Sequence, residues 1–564
     1  MQERAATTNH ISFFTNLFWR SFDNLPGLGK TFFHCQMMVA LAIFFANAVE
    51  AANTRYRCMW REDPATSMVI GWDQISGGNA VLHYDVIDHG QKTDAYRLSH
   101  KPDKVLNARG MNNHFVRLTN LKPATVYYFV IRDSEGVSRR MSFRTAPDNP
   151  SERLSIIAGG DSRNHRDARK SANKLVSKLR PHFVLFNGDM TADDSPNEWK
   201  KWLDDWQETI GSDGRLFPVL VARGNHEASN ESLVEIFDVA NSGLIYALNF
   251  GGSLLRIYTL NSMIPSGGEQ RDWLEADLKK YGQMSWRFAQ YHHAMRPHTS
   301  DKSEKDDLII HWATLFQKYK VQLAIESDSH VAKWTYPIRP SKESGSDQGF
   351  IQDDENGTVY IGEGCWGAPL RKNDDDKAWT RASGSFNQFN WIFVDKDKVE
   401  VRTVMTDVSA NVGEVSDRNP FEPPIGLSLW NPPTGDVLIM YKEKPVVAAK
   451  PPVQASPPAS GKTLGNTTPA KNTSSDSDED WSAQPKVLCD AAGKAAIRYT
   501  LKNACNVTIL LLNESFTVLD RLTFNGQPAK THLKELTFTN LKSGTYYLVI
   551  KGGEDVVGKY QLLR

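Results

Sequence analysis

The stretch Phe183-Val184-Leu185-Phe186-Asn187-Gly188-Asp189-Met190 decides the fold. Its apolar run is too short for a helix and rich in aromatic and branched side chains, so it reads as a buried strand that stops at a Gly-Asp pair. The same arrangement recurs on both sides of it. Leu154-Ser155-Ile156-Ile157-Ala158 leads to Gly160-Asp161-Ser162-Arg163, and Pro218-Val219-Leu220-Val221-Ala222 leads to Gly224-Asn225-His226-Glu227. Further on, Phe288-Ala289-Gln290-Tyr291 leads to His292-His293, and Val321-Gln322-Leu323-Ala324-Ile325 leads to Asp328-Ser329-His330. Helical patterning over residues 168–179 and 268–281 separates some of these runs. In an open α/β sheet, chemistry gathers beyond the strand ends.

Turn chemistry explains any one cluster as well. Gly supplies positive φ and Asp closes an Asx-turn, and Asn225 alone reads as a helix N-cap. Five in order, each after a strand, instead bring carboxylates, an amide and imidazoles to one rim, the donor set of a binuclear metal site. As a set, the order Asp, Gly-Asp, Gly-Asn-His, His, x-x-His resembles the metallophosphoesterase superfamily, most closely its purple acid phosphatase-like branch, over about residues 150–400.

That resemblance implies that Asp161 and His330 hold metal 1, that Asn225, His292 and Asp328 hold metal 2, and that Asp189 bridges them. It implies two divalent or trivalent ions, Fe, Mn or Zn, which suit oxygen-rich ligands with a few imidazoles. A bridging carboxylate keeps such ions about 3.5–4 Å apart. Adjacent strand side chains face opposite ways, so one of His292 and His293 faces the metals, and the family pattern selects His292. It implies His226 as proton donor or phosphate contact; Arg163 is the second catalytic candidate, on its own chemistry.

Three positions depart from the family pattern. Ala192 stands where the phosphatase branch has the tyrosine that gives its colour. Arg163 stands where the wider superfamily has a histidine; it either grips phosphate oxygens bidentately or pairs with a nearby acid. The Gly-His-x-His motif reads Ser327-Asp328-Ser329-His330, exchanging an imidazole for a carboxylate.

The flanks extend the same reading. Residues 67–72, 80–84 and 126–131 are strand-like runs split by turns, as in a small sandwich. Residues 118–128 resemble the end of a fibronectin type III-like domain. Residues 31–49 lack Asp, Glu, Lys and Arg; with small residues at 49–51 they read as a cleavable export signal, or as an uncleaved anchor. Removal of Cys35 leaves Cys58, Cys365, Cys489 and Cys505, an even number that permits disulfides, with Cys489–Cys505 the favoured pair. Residues 444–485, rich in Pro, Ser and Thr with an acidic run at 476–480, read as an extended linker. Strand patterning returns over 496–501, 507–512 and 544–550, and the ending Gly558-Lys559-Tyr560-Gln561-Leu562-Leu563-Arg564 resembles bacterial type IX secretion sorting domains. A generic β-sandwich with a binding role explains the same strands. The sorting reading treats the last strand as a handle whose edge is free to pair.

Lys plus Arg equals Asp plus Glu, 66 each, so nothing argues for a nucleic-acid polyelectrolyte partner or an anionic membrane surface. The expected fold is multidomain: an α/β metallophosphoesterase sandwich core with an all-β fibronectin III-like N-terminal domain and a small all-β C-terminal domain. The expected boundaries are 1–51 export signal, 52–147 fibronectin III-like, 148–443 catalytic, 444–486 linker and 487–564 sorting domain. The expected activity is that of a secreted or cell-surface phosphomonoesterase. Its substrate is a phosphate ester, its partner is the secretion machinery, and the mature chain has no membrane span. The alternatives are a phosphodiesterase of the same fold and a non-catalytic phosphate- or metal-binding surface protein.

Overall fold

The computed structural model describes residues 52–442 except 417–418, and most of residues 486–563. The expected export signal, nearly all of the linker, and Cys35 and Cys489 lie outside the described residues. Backbone contacts divide the chain into two compact units, within residues 1–448 and 449–564.

Eight strands open the first unit: β1 Asn53–Met59, β2 Met68–Gln74, β3 Val81–Asp85, β4 Leu98–His100, β5 Lys104–Ala108, β6 Met111–Leu118, β7 Val126–Arg132 and β8 Met141–Arg144. They form two four-stranded sheets, ordered β1-β2-β6-β5 and β4-β3-β7-β8, antiparallel throughout. Trp72, Leu82, Val116, Phe129 and Phe143 fill the space between them. Period-two alternation puts these residues inward, as a sandwich requires. Arg61, Lys104 and Arg117 of the sandwich converge at 3.3, 3.2 and 2.8 Å on the carboxylate of Asp238, whose side chain is fully buried in the following domain. Three cations sharing one buried acid tie the two domains together, since removing the acid would strand desolvated charge.

The following domain is a helix–sheet–sheet–helix sandwich. β9 Leu154–Gly159, α1 Arg166–Leu179, β10 Phe183–Phe186, α2 Pro196–Trp206, β11 Val219–Val221, α3 Asn230–Phe237, β12 Tyr246–Phe250, β13 Leu255–Thr259, α4 Glu269–Lys280, β14 Trp286–His293 and β15 Leu323–Ser327 follow in order. β16 Ala332–Thr335, β17 Ile338–Pro340, β18 Phe350–Gln352, β19 Val359–Gly362, β20 Thr380–Gly384, β21 Gln388–Val394, β22 Lys398–Met405 and β23 Leu438–Tyr441 complete it. One sheet has the order β11-β10-β9-β21-β22-β23, the other β12-β13-β14-β15-β19-β16-β20.

Alternation explains the layers. Ile156, Ala158, Leu185 and Leu220 meet Ile257, Phe288, Ile325 and Ile361 between the sheets. Their neighbours Ile157, Val184 and Phe186 face outward onto Leu175, Trp202 and Trp206 of α1 and α2. On the far face, Tyr258, Ala289 and Ala324 pack on Leu274 of α4 and Phe316 of the helical segment at 306–319. The strand expected at 321–325 forms two residues later, because Val321 still donates to Phe316 O (2.9 Å) to close the preceding helix. Cys58 and Cys365 are buried free thiols.

The second unit contains β24 Lys486–Leu488, β25 Lys494–Thr500, β26 Cys505–Leu512, β27 Val518–Gln527, β28 Thr531–Thr537, β29 Thr545–Gly552 and β30 Asp555–Leu563. A five-stranded sheet, β24-β30-β29-β26-β27, lies beside the pair β25-β28, with Ile497, Ile509, Leu548 and Leu562 in the core. The expectation of a free terminal edge is corrected here. β30 pairs with β29 along its length and with β24 at Gln561–Leu563, so its edge is already taken at the chain's last strand residues. Among the described residues no helix is long and apolar enough to cross a membrane.

Candidate metal centre

Every candidate ligand stands at the C-terminal end of a strand. Asp161 follows β9, Asp189 follows β10, Asn225 follows β11, His292 is the penultimate residue of β14, and Asp328 and His330 follow β15. β9, β10 and β11 are mutually parallel, as are β14 and β15, so their ends meet on one rim. The chain turns sharply there: Asp161, Asp189, Asp328 and His330 all have left-handed backbones, with φ of 58, 55, 72 and 56°. Such conformations cost of order 1 kcal/mol each and gather where function over-determines them. In β14 the pairing register slips between Gln290 and His293, a bulge of the kind that re-aims a side chain. His292 is buried and points into the site, whereas His293 is half-buried and its backbone N–H donates to Ser262 Oγ (3.1 Å).

Two groups of donors result, sharing Asp189. Asp161, Asp189 and His330 place one ligand atom each within 4.8 Å of one another. His330 Nε2 lies 3.2 Å from Asp161 Oδ1, yet both atoms are buried without a hydrogen-bond partner. Two buried lone-pair atoms turned toward one point, with no proton donor between them, fit a cation. On the other side, His292 Nε2 lies 3.1 Å from Asn225 Oδ1, 3.3 Å from Asp189 Oδ1 and 3.6 Å from Asp328 Oδ1. Both imidazoles are aimed by their Nδ1 atoms, which donate to backbone carbonyls: His292 to Asn187 O (2.8 Å) and His330 to Pro369 O (2.6 Å). This is the outer support usual for metal-ligating histidines. Asn225 caps nothing, since α3 begins five residues later behind Ser229.

Negative charge dominates the cluster. Burial opposes the charged form of His292, but Asp189, Asp328 and Asp161 outweigh it and raise its pKa to about 10. Burial and the charge of Asp189 raise Glu227 to about 7. Carboxylates packed this closely call for a compensating cation. Asp161, Asp189, His292, Asp328 and His330 are at most 3 % exposed. The bases around them are more open: Arg163 13 %, Lys302 23 % and His226 27 %. Arg163 Nε lies 3.5 Å and His226 Nε2 3.8 Å from Asp189 Oδ2. The nearby acid open to Arg163 is thus the shared carboxylate itself. His226 Nδ1 donates to Ala192 O (2.6 Å), turning Nε2 to the site.

Sequence reasoning missed three groups. Lys302 bonds the Asp328 carboxylate from a loop with no motif. Glu227 accepts from the N–H groups of Asp189, Met190 and Gly224 at 3.0, 2.8 and 2.8 Å, clamping two of the turns. The third is the loop after β19, where Glu363 O accepts from His330 N (2.7 Å) and Gly364 lies against Asp161. Val359-Tyr360-Ile361 followed by Gly362-Glu363-Gly364 repeats the strand-then-Gly pattern and was the signal available.

Comparison with known proteins agrees with this arrangement. Residues 54–145 match the family model for the purple acid phosphatase N-terminal domain, and residues 159–332 that for the calcineurin-like phosphoesterase domain. An uncharacterized protein of Mycobacterium tuberculosis is 26 % identical over 328 residues, 49 % of this chain and 60 % of that protein. Purple acid phosphatase 15 of Arabidopsis thaliana is 24 % identical over 261 residues, 38 % of this chain and 48 % of that one. The chain thus spans less than two thirds of either relative. The solved purple acid phosphatase of yellow lupin seeds superposes with a TM-score of 0.52 at 15 % identity, covering 64 % of this chain and 73 % of that one. The fold is therefore a multidomain one, a purple acid phosphatase-type N-terminal domain joined to a metallophosphoesterase core.

Proposed function

We propose that residues 148–443 hydrolyse phosphate monoesters at a binuclear metal site, in a protein exported to the cell surface or medium. The observation that supports this best is the convergence from five strand ends of buried Asp161, Asp189, His292, Asp328 and His330 and exposed Asn225 on one rim, beside the more open bases Arg163, Lys302 and His226. Metal ions, when bound, supply Lewis-acid activation of water and of the phosphoryl group. The chain's own groups do the rest. Arg163 presents a guanidinium suited to two phosphoryl oxygens. Lys302 adds a point charge beside Asp328. His226, with Nδ1 committed to Ala192 O, carries a transferable proton on Nε2 in its cationic form and delivers it to the departing alkoxide. Elemental analysis together with mono- and diester turnover on one sample tests the reading. Two equivalents of metal with monoester preference are expected, and full turnover by metal-free protein, or none by metal-loaded protein, defeats it.

Asp328 is proposed to hold metal 2 in place of the family's histidine. Asp328→Ala is expected to remove about one equivalent of metal and lower kcat/KM by about 10²-fold, at least what loss of an outer-shell partner costs. Unchanged stoichiometry and rate would reduce Asp328 to a turn residue paired with Lys302.

Residues 487–564 are proposed to direct export. They form their own unit with its own core, and their sequence resembles sorting domains. With β30 paired on both sides at Gln561–Leu563, recognition at that end would fall on loops or side chains. A chain ending at Glu443 is expected to keep full turnover while remaining cell-bound in its host. Loss of activity in the folded truncation would show that the terminal unit builds the active site.

A further inference from the structure

The N-terminal sandwich reaches the loops of the metal centre through a hairpin tip. β5 pairs with β6 up to Ala108 and Met111, so Arg109 and Gly110 form a two-residue turn, with φ of 51 and 68°. Both values are left-handed, as a type I′ turn requires, and asparagine, aspartate or glycine is the usual choice there. An arginine stands at the first position instead, and its side chain lies against the core. Arg109 Nη1 lies 3.1 Å from Asp194 Oδ2 and donates to Asp194 O at 3.2 Å. Nη2 donates to Ser232 Oγ of α3 (2.7 Å), and Nε lies 3.5 Å from Glu235 Oε2. All three nitrogens of the fork are engaged, which a lysine could not match.

Asp194 carries this contact into the loop between β10 and α2. Its side chain is 3 % exposed and its backbone is left-handed, with φ 58°. Oδ1 accepts from Trp199 Nε1 of α2 (2.7 Å), and Oδ2 accepts from Ser232 Oγ (2.8 Å) and Ala228 N (3.2 Å). Its own N–H donates to Thr191 Oγ1 (3.2 Å). Asp194 thus fixes the loop that supplies Ala192 O, the acceptor of His226 Nδ1, and also the backbone at Ala228, just past His226. Removing the countercharge of so buried a carboxylate leaves desolvated charge, and the loop must shift to rehydrate it.

We propose that Arg109 is a positioning residue for His226, acting through Asp194 and Ala192. The proposal rests on the reading of His226 as proton donor to the leaving oxygen. As the P–O bond breaks, a strongly basic leaving oxygen takes the Nε2 proton, whereas a weakly basic one departs as the anion unaided. Phenyl phosphate and 2,4-dinitrophenyl phosphate, turned over by the metal-loaded full chain, separate the two cases. Arg109→Ala is expected to lower kcat for phenyl phosphate by roughly 10-fold, a part of the about 10²–10⁴-fold that general acid catalysis supplies. The kcat for the dinitrophenyl ester and the metal content are expected to stay unchanged. In a His226→Ala background the same substitution is expected to have no further effect, since its route is gone. Arg117→Gln, which loosens the domain contact at Asp238 instead, is expected to treat both esters alike. Equal losses on the two esters, an additive loss in the double variant, or the same selectivity from Arg117→Gln overturns the proposal. His226→Ala without leaving-group selectivity would overturn the proton-donor reading as well, so the two failures are told apart. Should Arg109→Ala not fold, Arg109→Lys, which keeps a charge for Asp194 without the fork, is read in the same cycle.

Discussion

Asp189→Asn is expected to abolish hydrolysis while leaving the fold intact. Asp189 is the one residue common to both donor groups, within 4.8 Å of Asp161 and His330 ligand atoms and 3.3 Å from His292 Nε2. The substitution keeps shape and keeps an oxygen for His226 N, which now donates to Asp189 Oδ1 at 2.9 Å. It removes the negative charge that two cations would share. It also relieves Glu227, whose raised pKa comes partly from that charge, so stability should not fall. A loss of about 10³-fold or more in kcat/KM is expected, roughly 4 kcal/mol of transition-state stabilisation. Metal content should drop in parallel, and circular dichroism should be unchanged. A folded variant with near-normal turnover would dispose of the shared-carboxylate assignment.

The strand ends were legible because their signal is local. An apolar run followed by Gly-Asp or Gly-Asn-His fixes both a buried strand and a turn, and the parallel order of β9, β10 and β11 then places those turns together. What sequence did not show was the set of long-range partners. Lys302 sits 26 residues from Asp328, in a loop whose course depends on the fold. The bulge that aims His292 arises from pairing with β15, which no single strand encodes. The terminal strand was misjudged for the same reason. Its own residues say only that it is a strand, while the short segment 486–488, seen as a domain boundary, pairs with its outer side at Gln561–Leu563.

Gly364→Ala is expected to be the most damaging change outside the ligands. Gly364 has φ +89°, and a Cβ there would lie 2.0 Å from Asp161 Oδ2 and 2.6 Å from Asp161 Cγ. Neither neighbour has room to give. Asp161 is held at Oδ2 by Asp328 N (2.9 Å) and along its backbone by Gly188 O and Ala368 N (3.0 and 2.8 Å). The loop is held through Glu363, whose carboxylate meets Lys333 at 2.5 Å and His298 at 3.2 Å. Lys333 and His298 overcome its burial and keep its pKa near 2. Backbone strain of about 1–2 kcal/mol and overpacking of about 1–3 kcal/mol should both appear as lost stability. Because Glu363 O also accepts from His330 N, any shift of the loop displaces two candidate ligands at once. Metal content should fall, with turnover down by roughly 10²-fold. Gly435→Ala separates the two causes. Gly435 has φ +96° but nothing within 4 Å of the added atom, so it should lose the backbone increment alone and keep its metal and its rate. Equal damage in both variants would mean that left-handed strain, and not the contact with Asp161, sets the cost at Gly364.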